Sequence, residues 1–273
     1  MQLNKLIRAV IQEHNIRIYY INNINLLNQA IRTHNYNKII YPQLGQLLTI
    51  SSLLSSSIKQ NDTISLKLTS NDYIKLILID VYSNGNLRMY IETNNKVIPK
   101  LPIFKENTLI EVSKSINLKS TYTSSFILES SDIINEFINY FNNSEQIKTH
   151  IKLFSSINDK NVFHYSMGLL FQLLPSAIIE DEKYLYKLSN SINAKNLYDS
   201  NLEALIPNIN ILCSNDIEYQ CRCSNSYYYN KIGLLPKVEI LNLINQPTST
   251  KIICKFCNKQ YIYPKDKLIK LLN

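Results

Sequence analysis

Four glycines, three methionines and no tryptophan occur in 273 residues. The glycines are Gly45, Gly85, Gly168 and Gly233, and no two lie within one loop's length. A P-loop and a dinucleotide-binding fingerprint each need clustered glycines, so both are excluded. Also missing are the G-x-S-x-G nucleophile elbow and the H-E-x-x-H zinc-hydrolase helix. The histidines, His14, His34, His150 and His164, are scattered and far in sequence from every cysteine. No apolar run reaches the roughly 18–20 residues that span a bilayer. The first apolar stretch is cut by Arg8 and followed by Gln12-Glu13-His14-Asn15, unlike a signal peptide. The expectation is a soluble, non-secreted protein with no membrane partner and no enzymatic site. In a reducing compartment, paired cysteines point to metal or redox chemistry before structural disulfides.

The composition that remains is globular, 45% hydrophobic and 18% charged. Heavy use of Asn, Ile, Lys and Tyr reads as an AT-rich coding genome. The first 175 residues pattern as mixed α and β. Alternation at Ile16, Ile18 and Tyr20 predicts a strand, and 23–34 predicts a short helix. Pro42 opens a buried helix carrying Leu44, Leu47, Leu48, Ile50, Leu53 and Leu54. A strand is predicted over 63–69, then a hairpin over 73–93 turning at Asn84-Gly85. Further strands are predicted at 108–112 and 125–128, and a helix over 132–141 capped by Ser130 or Ser131. Runs 147–156, 161–166 and 168–175 read as strands, with Gly168 a bulge or bend between two of them. From Ser176 the texture changes. Ile179, Leu185, Leu188 and Ile192 make a narrow helical stripe that Pro207 ends, as in helices lying on something else.

From Tyr219 onward, nine Lys and Arg face Glu239 and Asp266, so this tail carries +7 of the chain's net +8. It also holds four of the five cysteines, as Cys221-x-Cys223 and Cys254-x-x-Cys257. Each pair sets two sulfurs on one short turn. Two such turns brought together supply four soft donors around a point, as tetrahedral Zn²⁺ requires. With no histidine nearby, a site of four cysteines is the simplest reading. A site closed on all four sides is structural rather than Lewis-acidic. Four thiolates and one Zn²⁺ lower the tail's charge by 2, leaving about +5. A tail this short draws much of its folding energy from the metal. A Cys-x-Cys disulfide closes a very small ring with awkward geometry. The spacing leaves open a plain structural zinc ribbon and a site that oxidises reversibly. Cys213, in the apolar run INILCSND, is expected to be buried and inert.

Three functional classes therefore stand. One is a redox-responsive zinc protein. Another is a zinc-ribbon nucleic-acid binder using the basic tail. A thiol–disulfide oxidoreductase is the weakest, because Cys254-Lys255-Phe256-Cys257 does not sit in a βαβ pattern at a helix start.

The order C-x-C then C-x-x-C at this separation resembles the redox-regulated holdase chaperones of the thirty-three-kilodalton heat-shock class. LIRA (residues 6–9) is similar to that family's opening strand, PQLGQLLTISSLL to its first long helix, NYFNNSEQ to its S-E-Q segment and FQLLP to the close of its core domain. Three features depart from the pattern: SNSYYYN replaces a basic run after Cys223, Pro236 replaces a glycine, and the tail is basic. The resemblance implies an α+β fold with a large N-terminal mixed sheet and helix core domain (residues 1–175) that binds clients. A helical linker (176–218) and a small C-terminal four-cysteine zinc domain (219–273) would follow. It implies one Zn²⁺ held by Cys221, Cys223, Cys254 and Cys257 in the reduced chain. Oxidation would form Cys221–Cys223 and Cys254–Cys257 disulfides, release zinc, unfold the tail and expose apolar surface for unfolding client proteins without ATP. A homodimer of the oxidised form is left open. Since the likeness starts at residue 6, no transit peptide is expected ahead of the fold. A bacterial cytoplasm and the stroma of a plastid encoding its own copy both suit that expectation.

Overall fold

The structure is a computed structural model that describes residues 4–34, 36–59, 61–94, 96–116 and 120–272. The chain divides into two compact units, Met1–Tyr219 and Gln220–Asn273.

In the first unit, β1 (Lys5–Ile11) turns through Asn15, left-handed at φ 46°, into β2 (Ile16–Asn22). Asparagine tolerates that conformation better than most residues. Next come α1 (Ile24–His34) and α2 (Tyr41–Leu54), the latter with Pro42 in its first turn, where a missing N–H costs nothing. An antiparallel run follows: β3 (Thr63–Thr69), β4 (Ile74–Tyr82), β5 (Leu87–Thr93), β6 (Leu109–Ile116) and β7 (Ser120–Ile127). Gly85, at φ 91°, turns the predicted β4–β5 hairpin. After α3 (Ile133–Asn143) come β8 (Thr149–Ile157) and β9 (Phe163–Leu173). Three short helices, α4 (Ile179–Ser191), α5 (Ala194–Asp199) and α6 (Leu202–Leu205), lead to β10 (Ile209–Asp216).

Two five-stranded sheets result, ordered β10-β1-β2-β9-β8 and β5-β4-β3-β6-β7. Helix α2 lies in the core they share. Its buried residues include Leu44, Leu47, Leu48, Ile50, Leu53 and Leu54, and they cluster with Ile21 and Leu170 of one sheet and Ile64, Leu66 and Ile79 of the other. A helix apolar all round belongs in such a place. Each buried leucine contributes roughly 1.5–3 kcal/mol. The polar side chains on it bond inward: Ser51 Oγ to Leu47 O (2.7 Å) and Thr49 Oγ1 to Gly45 O (2.8 Å). Asn23 Nδ2 donates to Thr49 Oγ1 (3.1 Å), tying α2 to the end of β2.

The opposite face of the first sheet is covered by α4–α6. Ile7, Ile18, Met167, Leu169 and Phe171 pack there against Leu185, Leu188, Ile192, Leu197 and Leu202. Asp181 fastens the start of α4. Its carboxylate accepts from the Ile178 N–H (2.9 Å) and Asn15 Nδ2 (3.1 Å), and His14 Nδ1 stands 3.4 Å away with its ring stacked on Tyr184 at 3.6 Å. The Ile178 N–H bond, followed by those from Asn15 and His14, holds the Asp181 carboxyl below the usual carboxylate range.

Several local expectations are corrected. Asp132, not Ser130 or Ser131, caps α3, accepting from Ile134 N and Asn135 N at 3.1 and 3.2 Å. Ser130 instead gives its N–H and hydroxyl to Glu136. The runs 161–166 and 168–175 merge into one strand, Phe163–Leu173, and Gly168 is neither bulge nor bend. It sits mid-strand because a Cβ there would lie 2.8 Å from Thr49 Cγ2 and 2.9 Å from Leu153 Cδ2. The irregularity falls between Ser156 and Ile157. Ile179 is 67% exposed rather than part of the buried stripe, since the chain is still turning into α4. Cys213 is half-buried, because β10 is an edge strand covered from one side.

Candidate metal centre

The second unit is built around its four cysteines. Strands β11 (Thr250–Ile253) and β12 (Gln260–Tyr263) pair antiparallel in the register Thr250↔Tyr263 to Ile253↔Gln260. Between them Cys254 and Cys257 sit on a tight knuckle. It is closed by Cys254 N to Lys259 O (2.9 Å) and Asn258 N to Cys254 O (2.8 Å), with Asn258 left-handed at φ 58°. Cys221 and Cys223 lie just before α7 (Asn225–Gly233). Ser224 caps that helix, its hydroxyl accepting from Tyr227 N at 3.0 Å. Helices α8 (Lys237–Asn245), which follows Pro236, and α9 (Lys265–Ile269) complete the unit. A small core of Ile232, Ile240, Tyr261, Tyr263 and Leu268 surrounds the fully buried Cys254.

All four Sγ atoms lie within 4.8 Å of one another. Two contacts cross between the segments: Cys221 to Cys254 at 3.7 Å and Cys223 to Cys257 at 3.3 Å. A tetrahedral ion with metal–sulfur bonds of ~2.3 Å sets its sulfurs about 3.8 Å apart. The cluster thus has the dimensions of a four-thiolate zinc site. It is too open for disulfides, whose sulfurs stand ~2.05 Å apart.

Two tyrosines that the sequence pattern did not single out point at the sulfurs. Tyr261 donates its hydroxyl to Cys223 Sγ at 3.0 Å, and Tyr228 hydrogen-bonds Cys254. Burial pushes the Cys254 thiol up. Hydrogen bonds from the Tyr228 hydroxyl, the Phe256 and Cys257 N–H groups and Cys221 outweigh it and bring the thiol down to about 7. Cys257 moves up through burial and its hydrogen bonds with the neighbouring sulfurs, although the Lys259 N–H opposes the rise. Among four crowded thiols, Cys254 therefore ionises readily and Cys257 resists. Burial also raises the hydroxyls of Tyr228 and Tyr261, and the adjacent sulfurs add to that rise. The spacing Cys257-x3-Tyr261 in an alternating strand was the available signal, since β12 turns one side of its chain back toward the knuckle.

Three lysines of the basic tail lie over tyrosine rings: Lys231 on Tyr227 (5.8 Å), Lys259 on Tyr261 (5.7 Å) and Lys267 on Tyr229 (5.1 Å). The two remaining sequence candidates, Cys213 and the histidines, are not brought to the cluster. No helix among the described residues is long and apolar enough to cross a membrane.

The fold and the cysteine cluster together define an α+β protein whose C-terminal unit gathers four thiols. The crystal structure of a 33 kDa chaperonin, heat shock protein 33 homolog, from Thermotoga maritima shares that fold at a TM-score of 0.82, with 18% identity, over 99% of this chain and 98% of its own. The Desulforamulus reducens protein named 33 kDa chaperonin is 25% identical over 98% of this chain and 96% of its own. Its namesake from Alkaliphilus metalliredigens is 26% identical over 99% of each. The family model described as Hsp33 protein matches residues 4–264, and the chain belongs to that chaperone family.

Proposed function

We propose that this chain is a redox-controlled, ATP-independent holdase whose off state is a zinc-bound C-terminal unit. The observation that carries the reading is the four-sulfur cluster, in which sulfur contacts join residues 221–223 to residues 254–257. When bound, Zn²⁺ would cross-link Cys221, Cys223, Cys254 and Cys257 and supply much of the folding energy of this small unit. Disulfides within Cys221–Cys223 and Cys254–Cys257, the pairing the resemblance implies, would staple each segment to itself. The link between segments, and the ion with it, would be lost. Each disulfide formed from two thiolates gives up two electrons, which with two protons from solvent reduce one hydrogen peroxide to two waters. The unit then opens. Loss of order in 176–218 would uncover Ile7, Ile18, Met167, Leu169 and Phe171, an apolar face suited to unfolding client proteins. A thiol reductant reverses the sequence. The proposed domains are 1–175 for client binding, 176–218 as linker and 219–273 as switch, working in a bacterial cytoplasm or a plastid stroma.

The test is metal content and free-thiol count before and after peroxide, together with suppression of aggregation of a heat-denatured client. One zinc per chain, four thiols lost with the metal, and holdase activity that appears on oxidation and vanishes on reduction are expected. Zinc-free reduced protein, or unchanged activity after peroxide, overturns the reading.

A further inference from the structure

Strand β5 ends its sheet, so one row of its backbone groups faces away from β4. An exposed row of this kind templates pairing with other chains. Here it is covered, and by very few residues. Leu87 N donates to Glu218 O (3.4 Å), and Leu87 pairs with Tyr219 in an isolated parallel bridge. The Tyr219 hydroxyl stands in for the next residue of a missing strand: it accepts from Met89 N (3.3 Å) and donates to Met89 O (3.1 Å). The Tyr36 hydroxyl accepts from Ile91 N at 2.9 Å. Every second N–H from residue 87 to 91 is thus met by a strap segment or a tyrosine, not by a strand. The strap is anchored by Glu218 N to Asn86 Oδ1 (2.9 Å), by Ile217 N to Asn4 O (3.0 Å) and by burial of Ile217 and Tyr219.

The strap residue Tyr219 closes the first compact unit, and Cys221 stands two positions further along the chain. We infer that residues 217–219 are a removable cover on the β5 edge, and that the uncovered edge binds an extended segment of an unfolding polypeptide by strand addition. The occupant follows from what the cover imitates, a backbone N–H and C=O at strand spacing opposite Leu87 and Met89. Unfolding chains offer such groups along long stretches, whereas folded proteins offer them mainly at sheet edges. This inference rests on the proposed holdase function for the event that pulls the strap away, but the edge can be tested without that event.

The full chain is kept under thiol reductant so that the cysteines are untouched. Wild type, Tyr219→Ala and Tyr219→Phe are compared. The probes are a short synthetic peptide of alternating Val and Thr and a copy with alternate amides N-methylated, which keeps the side chains but cannot extend a ladder. Tyr219→Ala should bind the plain peptide roughly tenfold more tightly than wild type, and the methylated copy should lose roughly that factor, as expected for two or three backbone bonds. Tyr219→Phe keeps the ring and loses the hydroxyl, so exchange of the Met89 amide should quicken and slow again when peptide is added. If Tyr219→Ala does not fold, Tyr219→Phe with the same two peptides decides. Equal binding of both peptides, or no gain in either variant, overturns the inference. Peroxide-treated wild type separates it from the holdase reading. Aggregation suppression by oxidised protein whose Met89 amide, measured before any client is added, is still protected sinks the strap and leaves the holdase. Peptide binding by Tyr219→Ala with no holdase activity after peroxide keeps the edge and removes the oxidative trigger.

Discussion

Replacing Tyr261 by Phe removes one oxygen and little else. The residue is only 5% exposed and its ring is tilted against Tyr228 at 5.1 Å, contacts that phenylalanine retains. What goes is the hydroxyl donated to Cys223 Sγ at 3.0 Å. A hydrogen bond to a charged acceptor contributes roughly 1.5–3 kcal/mol, and loss of a group that orients a metal ligand typically lowers affinity about 10–100-fold. Both figures predict a zinc affinity for Tyr261→Phe at least about tenfold below wild type. Competition against a chromophoric chelator under reducing conditions measures it. Tyr263→Phe is the control. Its hydroxyl donates to Asn225 O at 2.8 Å and touches no sulfur, so it should cost stability and leave zinc affinity within about twofold. Equal affinities for Tyr261→Phe and wild type would refute the claim that the hydroxyl supports a thiolate, and equal losses in both variants would show a packing effect instead.

Cys254→Ser removes the one fully buried sulfur of the four, so zinc content should fall below one per chain and residues 220–273 should lose hydrogen-exchange protection while β1–β9 keep theirs. A variant that retains stoichiometric zinc would contradict the four-thiolate assignment. Gly168→Ala places a methyl 2.8 Å from Thr49 and 2.9 Å from Leu153, and overpacking should destabilise the first unit by about 1–3 kcal/mol in urea melts. The folded Asp181 carboxyl is depressed, so its contribution is complete above the ordinary carboxylate range and is lost as pH falls through its lower folded value. Acid titration should therefore release α4, followed by exchange of the Ile178 amide, before the sheets melt. Asp181→Ala should show that release already at neutral pH.

The cysteine quartet was legible because each half is local: two sulfurs per turn are written into the spacing, and only the meeting of the turns needed the fold. The helix at Pro42 and the Asn84-Gly85 hairpin were legible for the same reason. What could not be read depends on partners far away in the chain. Gly168 looks like a strand breaker until Thr49 is found above it. Ser130 and Asp132 both suit a cap by composition, and the choice falls to Asp132 because Glu136, one turn into the helix, draws Ser130 away. Strand β10 leaves every second side chain exposed, and it exists because β1 offers an edge to it. The tyrosine hydroxyl at Met89 has no signature of its own, and the one at Cys223 has only the spacing of Tyr261 from Cys257. A tyrosine run reads as packing until the geometry shows where each oxygen goes.

The order of strands β10-β1-β2-β9-β8 has a consequence for the newborn chain. β2 is flanked by β1, its immediate neighbour in sequence, and by β9, which leaves the ribosome roughly 140 residues later. At ~5–20 residues per second, that gap lasts on the order of ten seconds. Throughout it, a hairpin with Ile18 and Ile21 on opposite faces lacks its second partner, and its Ile18 face lacks the covering helices α4–α6. A member of a chaperone family thus spends its own synthesis in the condition of an unfolding client, and its N-terminal hairpin is where a nascent-chain binder would be found holding it.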